Sequence, residues 1–288
     1  MRTAINWMVL AVILSGVGPV LVRDSPVDPA ATAFWRLSIA LPIALFLIRR
    51  SVLLPWRAML WAALAGLFLA GDLCFWNSAL LRTTILEGTI LVMVYPLIAA
   101  IANYLIFKER ITSRVAVGGL IAFSGLLLMV LGADTNGRSS LSGDLMAVAA
   151  AFFYTGSLLI SARLCRIYDT QIVSFWVIFW AAIGALPAAI LEQRTLPITP
   201  HDWGYVMAYG ILTLVSYNLF NRGLKIVPTG LASLMGYGQP VVATTLGYFF
   251  LNPPEVPTLN GILGSIVIVI GLVLATRQPR EKVLAPAD

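Results

Sequence analysis

The chain has 288 residues, of which 59% are hydrophobic and only 11% are charged. A soluble domain carries about 25% charged residues, so the composition excludes an ordinary water-soluble protein. The net charge of +6 does not indicate a nucleic-acid partner, because the basic residues lie in short gaps between apolar blocks and not on a soluble domain.

Apolar blocks of the length that a bilayer-crossing helix needs recur along the whole chain. Transmembrane barrel strands would give short alternating segments instead. We therefore predict an all-α polytopic membrane protein with ten transmembrane helices and the lipid bilayer as its main partner. The predicted spans are about residues 4–22, 30–48, 58–78, 84–106, 115–132, 143–162, 170–190, 203–221, 229–251 and 259–276.

The basic residues predict how these spans are oriented. With the spans alternating in direction, fourteen lysines and arginines fall on the side of the N-terminus and four on the opposite side. Short cytoplasmic loops are enriched in Lys and Arg. We expect a multi-pass protein of the cell inner membrane with both termini in the cytoplasm.

The two halves of the chain repeat one another. Shifts of 144 and then 146 residues superpose Asn77 on Asn221, Pro96 on Pro240, Glu109 on Glu255, Thr112 on Thr258, Gly118 on Gly264 and Gly125 on Gly271. Each half has five spans, an odd number, so the second half must enter the membrane upside down, as in many secondary transporters. The predicted organisation is a first five-helix repeat over 1–133, a polar linker at 134–142, a second repeat over 143–276 and a cytoplasmic tail at 277–288.

Several motifs resemble those of one transporter family. They are Ala33-Phe-Trp-Arg36, the runs Thr89 to Leu97 and Ile106 to Ile111, Gly118-Gly119, Ser124-Gly125, and in the second half Gly238-Gln-Pro240, Glu255, Gly264 and Gly271. The chain resembles the EamA family of the drug/metabolite transporter superfamily over nearly its whole length. The second half departs from the pattern, with Asn-Pro-Pro-Glu where the first has Lys-Glu-Arg. The resemblance implies export of metabolites, with amino acids a frequent substrate class, and similarity to aromatic amino acid exporters of the YddG type.

A metabolite site should be concave, largely apolar and furnished with a few placed polar groups. Polar and aromatic residues at mid-span depth are the substrate-binding candidates, and they concentrate on spans that the repeat makes equivalent. They are Trp7, Ser15, Trp76, Asn77, Tyr95, Tyr154, Ser157, Tyr209, Ser216, Tyr217, Asn218, Ser233, Tyr237 and Gln239. Interfacial anchoring and helix packing remain the alternative readings for any one of them.

Five further residues are candidates for gating. Pro96 and Pro240 each remove a backbone hydrogen bond, and each follows close on a mid-span tyrosine. Charges inside a bilayer are functional candidates by default, and Arg36, Asp72 and Glu87 fall at a similar outer depth, where they predict a charged outer gate. A static ion pair is the alternative reading.

Three functions remain open at the level of sequence. The first is a secondary carrier that exports small organic metabolites by alternating access. The second is a carrier of nucleotide sugars, phosphorylated metabolites or lipids; anionic cargo calls for a Lys or Arg at the site, and no cation stands out at mid-span. The third is a membrane-embedded enzyme, which we do not expect. The single histidine, His201, lies in a predicted loop, so we predict no catalytic residue, metal or cofactor, and the oligomeric state stays undetermined.

Overall fold

The computed structural model describes residues 1–48, 52–83, 85–108, 112–131, 140–250 and 258–276, leaving aside the side chains of 85–87, 107 and 130. Within these ranges the chain forms thirteen helices. They are α1 (Arg2–Ser15), α2 (Gly18–Arg23), α3 (Pro29–Leu47), α4 (Trp56–Leu80), α5 (Ile85–Val92), α6 (Tyr95–Phe107), α7 (Ser113–Leu131), α8 (Leu141–Ile167), α9 (Thr170–Ile190), α10 (Pro200–Leu224), α11 (Thr229–Met235), α12 (Gly238–Phe250) and α13 (Leu259–Thr276).

The thirteen helices make ten crossings, because α1–α2, α5–α6 and α11–α12 each form one span broken in the middle. Seven segments in the described ranges are long and apolar enough to cross a membrane by themselves. The other crossings are α7, whose apolar stretch is shorter, the more polar α10, and α11–α12. The predicted all-α fold is confirmed. Much of the predicted linker, residues 132–139, and the predicted tail from residue 277 lie outside the described residues.

Each broken span turns just before a proline. Val17 donates to the Leu14 carbonyl at 3.3 Å, Met93 to Ile90 at 3.0 Å and Gly236 to Ser233 at 3.1 Å. These bonds span three residues and not four, so the chain tightens into a short 3₁₀ turn, a feature that often marks a functional hinge in a helix. Pro96 stands in the first turn of α6, where its missing N–H costs no helical bond.

Contacts between α7 and α13 display the inverted symmetry directly. A Cβ on Gly118 would lie 2.6 Å from the Gly271 carbonyl oxygen, and a Cβ on Gly125 would lie 2.6 Å from that of Gly264. The repeat matches Gly118 with Gly264 and Gly125 with Gly271, so exchanging the halves turns one contact into the other. The absence of side chains lets these two helices touch backbone to backbone.

We expect Gly125→Ala to lower the melting temperature of the detergent-solubilised protein. The added methyl group has only backbone and the buried Ile268 to push against, and overpacking of this kind costs about 1–3 kcal/mol. Gly204→Ala in α10 is the matched control, since nothing lies within 4 Å of its added Cβ. Equal melting temperatures for the two variants would contradict the close packing of α7 on α13.

A second pair of equivalent residues shows how each half is braced. The Asn77 amide of α4 donates to the Pro29 carbonyl at the start of α3, at 2.9 Å. In the other half the Asn221 amide of α10 donates to the Ser174 hydroxyl near the start of α9, also at 2.9 Å. Both asparagines are buried. These bonds hold α4 against the start of α3 in the first half and α10 against the start of α9 in the second half.

The halves are also joined on the face opposite the N-terminus, which we call the distal face. Asp28, before α3, accepts hydrogen bonds from the Arg194 backbone N–H at 2.9 Å and from its Nε at 3.0 Å. The Glu192 carboxylate accepts from the N–H groups of Ala30 and Ala31, at 2.9 and 2.8 Å. A carboxylate at a helix N-terminus satisfies donors that the helix itself leaves unpaired. The loop between α9 and α10 is thereby fastened to the start of α3.

The bond between Asp28 and Arg194 predicts a pH-dependent contribution to stability. The hydrogen bond from the Arg194 N–H, with the neighbouring guanidinium, holds the pKa of Asp28 below its ordinary value of 3.8. A carboxyl whose folded pKa is lowered stabilises the fold above its unfolded pKa, and loses this contribution as the pH falls through the folded pKa. Asp28→Asn should therefore melt lower than the native protein at neutral pH, with the difference shrinking below about pH 4.

Thermal unfolding of the native protein and of Asp28→Asn, followed from pH 7 to pH 3, measures this effect. We expect a small difference, on the order of 1 kcal/mol or less, because the Arg194 side chain is 66% exposed and water screens such a pair. Arg194→Gln should leave a smaller pH dependence of the same sign, because the backbone bond to Asp28 survives. A difference that stays constant over this pH range would show that ionisation of the Asp28 carboxyl contributes nothing to stability.

Candidate functional site

A cavity of about 150 Å³ lies between the two halves of the molecule. An apolar cavity of similar size in another protein takes up benzene, so the space suits a solute of about one ring. Its wall is drawn from α1–α6, α8–α10 and α12. The lining residues are Ala11, Leu14, Ser15, Gly18, Arg36, Leu37, Leu69, Asp72, Leu73, Trp76, Val92, Met93, Tyr95, Tyr154, Ile178, Tyr209, Leu212, Thr213, Ser216, Tyr217, Phe220 and Gln239.

Helical spacing explains how the long helices present these residues. In α4 the lining positions are 69, 72, 73 and 76, and in α10 they include 209, 213, 216, 217 and 220. Residues three or four apart share one face of a helix, so each helix turns a single stripe towards the cavity. The stripe of α10 is mostly polar or aromatic and that of α4 is mixed.

The broken spans bring further groups to the same space. Ser15 and Gly18 flank the break between α1 and α2. Met93 lies within the break between α5 and α6, Tyr95 directly follows it, and Gln239 follows the break between α11 and α12. The Gln239 amide donates to the Ser15 hydroxyl at 3.0 Å and so links two of the breaks. Discontinuous helices that meet near the membrane midplane form the substrate sites of many carriers.

Aromatic rings form much of the wall. Tyr95 and Tyr154 meet edge to face with ring centroids 4.6 Å apart, a favoured geometry for aromatic pairs. Tyr95 is 1% exposed, and its hydroxyl donates to the Ser233 carbonyl of α11 at 2.9 Å. Tyr95 therefore lines the cavity and also links the broken span of the first half to that of the second half. Tyr217 extends the wall in α10, where its hydroxyl lies 3.4 Å from that of Ser161.

A positive and a negative side chain face the cavity. Arg36 in α3 is 5% exposed and Asp72 in α4 is 6% exposed. The Arg36 guanidinium donates to the Tyr209 hydroxyl and lies 4.7 Å from the centre of the Tyr209 ring. The ion pairs among the described residues do not include one between Arg36 and Asp72. The cavity thus contains one basic and one acidic side chain that are not in direct contact with each other.

Two buried N–H groups of the cavity residues have no hydrogen-bond partner in the described part of the chain. They are the Nε of Arg36 and the Nε1 of Trp76. Buried polar atoms almost always have partners, so these two donors are exceptions, and both belong to residues that line the cavity. Among the described residues, no three His, Cys, Asp or Glu side chains lie close enough together to hold a metal ion.

The structure brings eight of the fourteen predicted binding residues to the cavity and leaves six away from its lining. The six are Trp7, Asn77, Ser157, Asn218, Ser233 and Tyr237. Asn77 and Ser233 take part in the helix-to-helix bonds described above, and the Asn218 amide donates to the Leu214 carbonyl of its own helix at 3.0 Å. Trp7 packs on the apolar core, and Ser157 and Tyr237 are buried. A direct contact of these six with solute stays a prediction.

The predicted gating residues also fall into separate places. Pro96 and Pro240 follow the breaks of their spans, and their role in gating stays a prediction. Arg36 and Asp72 line the cavity, which corrects the sequence-based view that no cation stands at the site. Glu87 belongs to α5, but its side chain lies outside the described residues, so the predicted three-residue outer gate stays a prediction.

Sequence reasoning missed Leu212, Thr213 and Phe220, of which Thr213 and Phe220 are the polar and the aromatic residue that complete the stripe on α10. Their spacing from Tyr209, Ser216 and Tyr217 was the available signal. The apolar part of the wall, such as Leu37, Leu69 and Ile178, has no comparable signal, because an apolar residue in a membrane span faces lipid, core or cavity with equal ease.

The EamA-like transporter family matches this architecture. Its family model covers residues 2–131 and again 141–277, one copy for each half. The chain belongs to the EamA-like transporter family. A crystal structure with 21% sequence identity superposes with a TM-score of 0.75, covering 96% of this chain and 97% of the other, and so shows the same fold.

Several relatives of the chain are named as transporters. The chain is 27% identical to the "Uncharacterized transporter YwfM" of Bacillus subtilis, over 73% of this chain and 71% of that protein. It is 22% identical to the "Pseudopaline exporter CntI" of Pseudomonas aeruginosa, over 97% and 98%. An "Uncharacterized transporter" of Archaeoglobus fulgidus is 22% identical over 96% and 98%. The protein is therefore an integral membrane protein of a transporter family.

Proposed function

We propose that this EamA-family protein is a secondary carrier that exports small organic metabolites, chiefly aromatic or neutral amino acids, by alternating access. The observation that carries the proposal is the cavity itself. It lies between the inverted halves, draws its wall from both, and combines tyrosine rings with hydroxyl groups, one arginine and one aspartate. Ligand sites are typically apolar clefts with a few placed polar groups of this kind.

The unequal packing of equivalent helices supports alternating access. α4 of the first half packs extensively on α8 and α9 of the second half, whereas the equivalent α10 packs less on α1 and α3 of the first half. A Cβ on Gly66 of α4 would lie 2.6 Å from the Val177 carbonyl oxygen of α9, whereas a Cβ on the equivalent Gly210 of α10 would lie 3.0 Å from the Arg36 carbonyl oxygen of α3. An inverted repeat reaches its opposite-facing state when the halves exchange such arrangements, and the breaks in three spans provide the hinges.

Export from the cytoplasm is supported by two observations. The excess of basic residues on the side of the N-terminus supports a cytoplasmic location of both termini, as we propose for a protein of the cell inner membrane. A relative that aligns over nearly its whole length is named as an exporter. A membrane-embedded enzyme has no comparable support.

Arg36 favours a second candidate, a carrier of anionic metabolites such as phosphorylated compounds, because an arginine on the wall is the residue that anionic cargo needs. Asp72 on the same wall opposes it, since an anion would meet a like charge there. Amino acids, which carry both charges, fit the pair better.

Uptake of labelled solutes into liposomes containing the purified protein tests the proposal. The panel consists of phenylalanine, tyrosine, tryptophan, leucine and a phosphorylated sugar, each with and without a pH gradient. We expect saturable uptake of amino acids that empty liposomes lack, and the gradient then shows whether transport is coupled to protons. Uptake of the phosphorylated compound alone would favour the second candidate, and uptake of none would overturn the carrier assignment for these classes.

A further inference from the structure

Arg36 and Asp72 give the cavity an uncommon pattern of charge. Each is at least nine-tenths buried, each lies on the wall, and no ion pair of the described residues joins them. A charge removed from water requires a partner. Tyr209 is a partner for only one nitrogen of Arg36. The carboxyl of Asp72 has no hydrogen bond among the described residues.

Tyr209 orients the Arg36 guanidinium but accepts a hydrogen bond from only one of its nitrogens. One Arg36 nitrogen donates to the Tyr209 hydroxyl, and the guanidinium carbon lies 4.7 Å from the centre of the tyrosine ring. A guanidinium has five N–H donors in a fixed plane, and the Nε donor of Arg36 has no partner among the described residues. An arginine oriented in this way is ready to bind a carboxylate, the planar anion that matches its geometry.

Trp76 adds a neutral donor close to the acidic side of the wall. It follows Asp72 by one helical turn in α4, so the two side chains lie on the same face. Its indole Nε1 is buried without a hydrogen-bond partner in the described ranges. A solute near Asp72 would therefore meet an acceptor that suits an ammonium group and a donor that suits an oxygen.

The rest of the wall suits an uncharged, apolar side chain. Tyr95, Tyr154 and Tyr217 present rings, and leucines and an isoleucine surround them. Apart from the tyrosines, Arg36 and Asp72 are the only ionisable side chains in the described lining. A second charge on the solute would have no counterpart there.

We propose that the cavity selects its solute as a zwitterion, with Arg36 binding the carboxylate, Asp72 binding the ammonium group and the tyrosine rings enclosing an uncharged side chain. The assignment rests on the proposed carrier function and specifies which charged groups of the solute the site recognises. A solute with only a carboxylate meets Asp72 as a like charge, and one with only an ammonium group meets Arg36 as a like charge. Such repulsion of the wrong ligand is an effective source of specificity.

Competition for phenylalanine exchange tests this assignment. Liposomes loaded with phenylalanine take up labelled phenylalanine in the presence of unlabelled phenylalanine, 3-phenylpropionate, which lacks the ammonium group, or phenethylamine, which lacks the carboxylate. For the native protein we expect phenylalanine to compete at least about tenfold better than either analogue, because each analogue leaves a buried charge unpaired. This ranking requires no variant.

Two variants then assign each charge. Asp72→Asn should lose the preference for phenylalanine over 3-phenylpropionate and keep that over phenethylamine, while Arg36→Gln should show the converse. Asp24→Asn and Arg57→Gln make the same substitutions at exposed positions and should leave the ranking unchanged. Stabilisation of the detergent-solubilised variants against heat by the three ligands gives the same ranking without requiring transport.

The outcomes separate the two claims. Phenylalanine exchange in which all three ligands compete equally, or in which both variants weaken them equally, would overturn the zwitterion assignment and leave the carrier function intact. If the folded native protein neither exchanges nor is stabilised by phenylalanine, tyrosine, tryptophan or leucine, both claims are overturned.

Discussion

We expect Thr213→Trp to abolish transport by blocking the cavity. Thr213 lies on the cavity stripe of α10, between Tyr209 and Tyr217. The indole that replaces its hydroxyl and methyl groups would fill most of a space of about 150 Å³. The rate of amino-acid exchange should fall by more than about tenfold, equivalent to a rise of more than about 1.4 kcal/mol in the barrier to transport.

The matched control is Thr245→Trp in α12. Thr245 is exposed on the outside of the helix bundle, where a tryptophan contacts lipid or detergent. Both variants are compared by proteoliposome exchange and by size-exclusion chromatography in detergent. Normal exchange by a folded Thr213→Trp variant would show that the solute does not pass through this cavity.

Tyr95→Ala produces the second large effect, and it acts on stability as well as on transport. Tyr95 is almost fully buried, its ring packs on Tyr154, and its hydroxyl donates to the Ser233 carbonyl of the opposite half. Removal of a buried aromatic side chain costs about 3–5 kcal/mol. We expect the melting temperature to fall by roughly 5–15 °C.

Tyr104→Ala in the same helix is the control, because Tyr104 is 53% exposed. It should melt close to the native protein. Tyr95→Phe separates the two contributions, since it keeps the ring and removes only the hydrogen bond to Ser233, for which we expect about 1–3 kcal/mol. Equal melting temperatures for Tyr95→Ala and Tyr104→Ala would show that the link between the broken spans is unimportant.

The overall fold could be predicted because membrane insertion leaves its mark on every span. Apolar length gives the number of crossings, and an odd number of spans in each repeat requires inversion. The match of Gly118 with Gly264 and of Gly125 with Gly271 in the sequence indicated the glycine contacts between α7 and α13. Prolines at 96 and 240 indicated where helices deviate, although only the structure shows complete breaks.

The depth of a residue along its span could be predicted from the sequence, but the direction in which its side chain points around the helix could not. Tyr95 and Tyr237 have similar surroundings, each close before a proline near mid-span, yet Tyr95 lines the cavity and Tyr237 does not. The turn that each broken span makes determines this difference, and it depends on packing with other helices. Arg36 was placed by depth at an outer gate, whereas the packing of α3 against α10 directs it to the cavity.

Alternating exposure of the cavity is the central claim, and cysteine labelling tests it most directly. Ser216→Cys, in a chain with Cys74→Ala and Cys165→Ala, places one thiol on the cavity wall. A membrane-impermeant thiol reagent is applied to right-side-out and to inside-out vesicles, with and without phenylalanine. We predict that the thiol reacts from both sides and that phenylalanine slows both reactions. Reaction from one side alone under every condition would contradict a carrier with a central, alternately exposed site.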